Sequence, residues 1–306
     1  MKSLEEKKRK EAMTGIVAGI ISAVLFWVSS SFAKMAYAGG SNGFMMTFTR
    51  AFFGLPVLLV MARFQGVSLK LNKGEAKSLL LAGIFGFSAT TLLLYSSFAY
   101  IGVGMATVLH YLAPLLVMLA NVAFFREKVK WWKVLSVLLG FAGVAAFAGG
   151  ADKSIMLGFF LALASSVTYA GLMLSMERTA MRGMHVTKVA VYTNTIAALV
   201  SLTFCLLTDS LNLAMTPGAW MNSVLVALMV AVGAFPLLNF SILKCGATTA
   251  SITTMLEPLT GVLFGYLLLR ESLTATNFLG FALIMAGVVL VSIFVAKESP
   301  TGSLMP

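Results

Sequence analysis

Ten long apolar runs organise the sequence, at 13–33, 44–62, 78–98, 104–124, 134–150, 155–176, 186–208, 219–243, 247–269 and 277–296. Each has about the 20 residues that a helix needs to cross the hydrocarbon of a bilayer. Lipid gives the backbone no hydrogen-bond partner, so such runs are expected to fold as helices that satisfy their own peptide groups. The predicted fold is therefore all-α, with ten transmembrane helices. Between the runs lie short loops and two tails, 1–12 and 297–306, with no room for a soluble domain. Only 11% of the residues are charged and 59% are apolar, against about 25% charged in soluble domains. This excludes a soluble enzyme, a disordered chain and a nucleic-acid-binding domain. The basic start at 1–10 and Ala36-Tyr37-Ala38 resemble parts of a signal peptide. The first run is too long for one, and nine more follow, so it is read as a retained span.

The net charge of +11 is explained by where the cations sit. Lys and Arg accumulate in cytoplasmic loops of membrane proteins. Starting inside and alternating through ten spans puts 18 of the 22 Lys and Arg on the cytoplasmic side. Lys34, Lys153 and Arg270 fall outside, and Arg50 falls within a span. Both ends are then cytoplasmic, and no nucleic acid is needed to account for the charge. Cys205 and Cys245 are too few for a disulfide framework and read as free thiols.

A shift of 144 residues aligns the chain with itself. Pro114, Arg126-Glu127 and Gly143-Val144 fall on Pro258, Arg270-Glu271 and Gly287-Val288, within 13 identities over 43 positions. The chain thus reads as two five-span units, 13–150 and 151–296. Five is odd, so the second unit enters the membrane from the opposite face. Arg126-Glu127 ends a span inside, whereas Arg270-Glu271 ends one outside. Inverted repeats of this kind are a signature of secondary transporters, because the two copies can exchange conformations.

These features, with Leu256-Glu257-Pro258-Leu259, Leu269-Arg270-Glu271-Ser272-Leu273, Tyr111-Leu112-Ala113-Pro114, Trp27 and Arg50, resemble the ten-helix EamA-type branch of the drug/metabolite transporter superfamily. The resemblance covers nearly the whole chain. It implies an exporter or facilitator in the inner (cytoplasmic) membrane, without an ATP-binding domain. It also implies a central cavity lined by runs 1–4 and 6–9, with runs 5 and 10 peripheral. Members of this branch handle amino acids, vitamins, nucleosides, sugars and other metabolites, and the small amino-acid exporters offer the nearest analogy.

The residues that carry chemistry are few. Glu257 is a carboxylate well inside the ninth run, and Pro258 beside it removes a backbone donor. An ionisable group at a loosened helix reads as a cation, ammonium or proton site, or as a structural partner of Arg50 or a backbone amide. Its repeat mate is Ala113. Arg50, about 10 Å into the second run, is matched by Asn194. It either snorkels outward, pairs with Glu257, or meets a substrate carboxylate. His110 precedes Pro114 by one helical turn and is matched by Thr254. It reads as a substrate or proton ligand, or as a satisfied polar group between helices. Tyr95, its mate Asn239, Trp27 and Tyr169 supply further polar and aromatic surface, unless they serve only helix packing. Gly15/Gly19 and Gly261/Gly265 form GxxxG pairs, read as packing within the monomer over dimerisation. Either a monomer or a homodimer is compatible with the sequence.

No cofactor or metal is expected. The Met residues, 19 in all, follow no ligand spacing. An intramembrane enzyme would need a second buried carboxylate or a metal motif. A channel or a membrane scaffold fits an inverted duplication less well than a transporter does. The favoured reading is a secondary transporter, an exporter, of a small polar metabolite and foremost of an amino acid. A nucleoside, vitamin or organic cation is the second choice of cargo. The orientation is testable with Cys205 and Cys245 replaced by Ser. An impermeant maleimide should label Asp152→Cys in intact cells, and Arg182→Cys only after permeabilisation. The reverse pattern would overturn it.

Overall fold

The computed structural model describes residues 2–126, 128–148, 153–238, 240–241, 244, 256–257 and 274–298. Within them the chain is helical and contains no strand. In chain order the helices are α1 (Lys2–Tyr37), α2 (Gly43–Phe64), α3 (Lys73–Leu81), α4 (Ala89–His110), α5 (Ala113–Phe125), α6 (Trp131–Ala148), α7 (Lys153–Arg178), α8 (Val186–Leu207), α9 (Pro217–Leu228) and α10 (Ala275–Glu298). Two π-helical segments, Ala82–Ser88 and Met229–Ala234, interrupt the third and eighth runs.

Six helices are long and apolar enough to cross a membrane: Met13–Tyr37, Gly43–Phe64, Lys73–His110, Ser154–Met176, Val186–Leu207 and Pro217–Leu238. Ala113–Phe125, Trp131–Ala146 and Ala275–Val291 are apolar and shorter. Of the ninth run, only 256–257 are described. Pro258, the Gly261/Gly265 pair, Arg270-Glu271, Glu127, Asn239, Thr254 and Cys245 lie outside the described residues. Gly15 and Gly19 are buried in α1, and Cys205 is a buried free thiol.

The fourth run differs from the single span expected at 104–124. Its first part continues from the third run through one residue, Gly102, at φ 75° and ψ 166°. That left-handed backbone suits glycine. The run then breaks again at Tyr111–Leu112, between α4 and α5. Pro114 sits in the first turn of α5 and has no N–H for the carbonyl of His110, four residues back. Pro236 similarly follows the second π segment, where the N–H of Phe235 reaches back to the carbonyl of Val230.

The helix pairs follow a pattern. The first π segment and α4 pack on α7, α1 packs on α9, α2 on α8, and α6 on α10. Under the 144-residue shift, the α1–α9 pair maps onto the pairing of the third run with the sixth. The α2–α8 and α6–α10 pairs map onto themselves. The glycines show this at atomic scale. A Cβ on Gly143 would lie 2.7 Å from the carbonyl oxygen of Gly280 and 2.6 Å from Ile284. A Cβ on Gly287 would lie 2.8 Å from the carbonyl oxygen of Ser136 and 3.5 Å from Gly140. Residues 143, 280 and 284 shift onto 287, 136 and 140.

The α2–α8 pair is fastened at both ends. The side chain of Asn42, the N-cap of α2, donates to the carbonyl of Ser210 (2.9 Å) just past α8. At the other end, the hydroxyl of Thr187 in the first turn of α8 donates to Oε1 of Gln65, the C-cap of α2 (2.6 Å). Gly143→Leu should lower stability in mixed-micelle unfolding by about 1–3 kcal/mol, the scale of overpacking a close contact. Gly171→Ala should be neutral, since the position its Cβ would take has no atom within 4 Å.

Candidate functional site

Side-chain spacing on α2, α4 and α8 builds a polar cleft. Thr47, Arg50 and Ala51 share one face of α2, and Asn194 and Ala197 share one face of α8. Phe87, in the first π segment, and Thr91 complete the lining of a tight cleft with no free volume for a water molecule. Arg50 and Asn194, matched by the 144-residue shift, thus meet in one cleft. Asn194 donates from its side-chain amide to the carbonyl of Ala190 (2.8 Å), which leaves its amide oxygen as an acceptor.

Arg50 is held by aromatic groups. Its guanidinium carbon lies 5.7 Å from the centre of the Phe87 ring and 5.6 Å from that of Tyr95. Its Nη1 donates to the Tyr95 hydroxyl (3.3 Å). Phe87, Thr91 and Tyr95 recur every four residues and so face the same way. Tyr95 is in turn placed by Phe98, edge to face at 5.4 Å, and its carbonyl accepts from the Tyr37 hydroxyl. Lys34, on α1, donates to the carbonyl of Phe98. These bonds tie the C-terminal end of α1 to α4. The Arg50 guanidinium rests against the Phe87 and Tyr95 rings.

Glu257 accepts a hydrogen bond from the Tyr111 hydroxyl (2.8 Å), at the break between α4 and α5. Tyr111 and Glu257 are 146 residues apart, close to the repeat shift.

His110, the last residue of α4, faces α7. Its Nδ1 is 3.0 Å from the Ser165 hydroxyl, and its ring lies 4.9 Å from that of Tyr169. Ser165 and Tyr169 are four residues apart on one face of α7. The Ser165 hydroxyl donates to the carbonyl of Ala162 (2.6 Å), so its oxygen is the natural acceptor for a proton on His110 Nδ1. Thr90 and Thr168 share a further bond at 2.7 Å. Trp27 is buried in α1, which packs on α9, α4 and the second π segment. The ring that Tyr169 meets is that of His110.

Arg50, Tyr95 and Asn194 form one polar group on α2, α4 and α8, and Tyr111, Glu257, His110 and Tyr169 form another at the helix break. Tyr111, Ser165 and Phe87 join these groups without having been expected from the sequence. The repeat carries a signal for Tyr111, since the paired prolines imply that the fourth and ninth runs meet near their midpoints. Among the described residues, no three His, Cys, Asp or Glu side chains gather as metal ligands.

A family profile described as the EamA-like transporter family matches the chain twice, over 13–148 and 156–293. An uncharacterized transporter of Archaeoglobus fulgidus is 25% identical over 277 residues, which cover 90% of this chain and 95% of that one. The uncharacterized transporter YoaV of Bacillus subtilis is 22% identical over 284 residues, covering 91% and 97%. A solved crystal structure superposes with a TM-score of 0.64 at 18% identity, covering 93% of this chain and 99% of that one. That likeness concerns the fold alone.

The Tyr111–Glu257 bond is testable by a double-mutant cycle. Tyr111→Phe and Glu257→Gln should couple by about 1–2 kcal/mol in mixed-micelle unfolding, as expected for a bond to a charged group in a membrane protein. Additive effects would show that the bond contributes nothing.

Proposed function

Because the chain belongs to the EamA-like transporter family, we propose that it is a secondary transporter exporting a small zwitterionic metabolite, foremost an amino acid, across the cytoplasmic membrane. The family and the apolar helices make it a multi-pass membrane protein of the transporter class. The cargo is read from the site, and export from the family resemblance. The observation that carries the cargo is a cation, Arg50, set against the Tyr95 ring, and a carboxylate, Glu257, bonded by Tyr111, both within apolar runs. A carboxylate group of the cargo would dock on Arg50 in the cleft with Thr47, Thr91 and Asn194. Its ammonium would meet Glu257, and its side chain would lie along the Tyr169 and His110 rings. A charged group in the membrane interior is costly and is retained where it serves a pathway.

Alternating access is supported by the twofold family match and by helix pairs that interchange under the 144-residue shift. Two five-span units, inserted upside down relative to each other, would swap conformations between inward-open and outward-open states. Under this reading the units are 13–150 and 151–296, and the protein needs no cofactor.

Counterflow in proteoliposomes tests the proposal. Vesicles are loaded with mixed amino acids, and labelled tracers are added singly, with and without a pH gradient. A tracer should accumulate with the native protein, and Glu257→Gln or Arg50→Ala should reduce its initial rate by about tenfold or more, the scale of losing a charge-assisted contact. Accumulation of nucleosides, vitamins or organic cations, with no amino acid moving, would replace the cargo. Unchanged rates in both variants would remove the assigned roles.

A further inference from the structure

A second feature begins beside the helix break, at Leu112, and runs along α5, α6 and α7. These helices enclose an apolar groove of about 200 Å³. Its floor is Leu112, Leu115 and Gly140, and its walls rise to Phe141 and Val167. Leu112 and Leu115 are 7% and 3% exposed, whereas Phe141 and Val167 are 65% and 59% exposed. The surface therefore has a true depression. Gly140 makes room for it: a Cβ there would come within 2.8 Å of Leu115. The polar wall group, Ser166, donates its hydroxyl to the carbonyl of Leu163 (2.7 Å), so the groove wall is apolar in effect.

The same three helices place cations about 10 Å beyond the groove, past Leu119 along α5. α5 stops at Arg126, whose left-handed backbone (φ 56°) turns the chain sharply into the loop before α6. Arg126, Lys128 and Lys130 are all exposed there. Stretch 126–130 holds three cations against the single carboxylate of Glu127. From α7, Arg178 reaches the same end, 4.1 Å from the centre of the Phe125 ring and 3.2 Å from the Asn121 side-chain oxygen. The N-terminus of α6 adds the positive end of its helix dipole. Trp131, 65% exposed and edge to face with Phe294 at 5.3 Å, marks this level as the membrane interface. From Leu112 to Arg126 the helix spans about 20 Å, which matches one leaflet of about 15 Å of hydrocarbon plus part of its headgroup layer.

We propose that the groove between α5, α6 and α7 is a binding site for one anionic phospholipid of the cytoplasmic leaflet. An acyl chain lies in the groove, and the phosphate meets the cations of the α5–α6 loop and α7. Basic pockets between membrane helices on the cytoplasmic side recognise such headgroups. The inference uses the orientation given by the Lys and Arg distribution and is independent of the cargo.

Native mass spectrometry of the full chain in detergent tests it, with equimolar phosphatidylglycerol and phosphatidylcholine of identical acyl chains. One phosphatidylglycerol should be retained in preference. Arg126→Gln with Lys128→Gln should cut that preference by about tenfold, the scale of two cations lost at a membrane surface. Val167→Trp, at a lipid-exposed wall, should fill the groove and remove the bound lipid, with an unchanged gel-filtration profile. Glycerol phosphate, which has no chain, should neither bind nor compete. Equal retention of both lipids, a preference untouched by the two variants, or full competition by glycerol phosphate would each overturn the proposal.

Discussion

Lipid cannot hydrogen-bond a peptide group, and this single fact governs the architecture. Inside the hydrocarbon a helix is the default, so any departure from one must be covered by protein. Among the described residues the departures inside the apolar runs are the Tyr111–Leu112 break and the two π segments, and Gly102 bends the chain between the third and fourth runs. The break and the first π segment border the two polar groups. Phe87 sits in that π segment and covers Arg50, while Tyr111 sits in the break and bonds Glu257. Irregular backbone and buried charge thus occupy the same part of the protein, where side chains can satisfy both.

The charged groups obey the same logic. Translocon scales put an arginine or an acidic residue at a helix centre at about 2.5–3.5 kcal/mol unfavourable. Arg50 offsets this with two aromatic faces and the Tyr95 hydroxyl, and Glu257 accepts a hydrogen bond from the Tyr111 hydroxyl.

Much of this is legible in the sequence because lipid imposes strong patterns. Run length announces the apolar helices, six of which are long enough to cross a membrane among the described residues. The 144-residue shift pairs Arg50 with Asn194 without any coordinate. Glu257 and His110 stand out because ionisable residues inside apolar runs are rare. What periodicity cannot give is which helices touch. A face can be read from spacing, but its neighbour cannot, so Ser165 and Phe87 stay hidden, as does the pairing of Tyr169 with His110. The fourth run misleads for another reason. Pro114 is visible, yet the apolar residues on both sides disguise a broken helix as one continuous span.

The two end-ties of α2 and α8 carry one more consequence. Hydrogen bonds at both ends, Asn42–Ser210 and Gln65–Thr187, hold α2 and α8 side by side along their length. Arg50 and Asn194 both stand on this tied pair, whereas Tyr111 and Glu257 do not, so the spacing of the two cleft groups is set by how α2 and α8 pack.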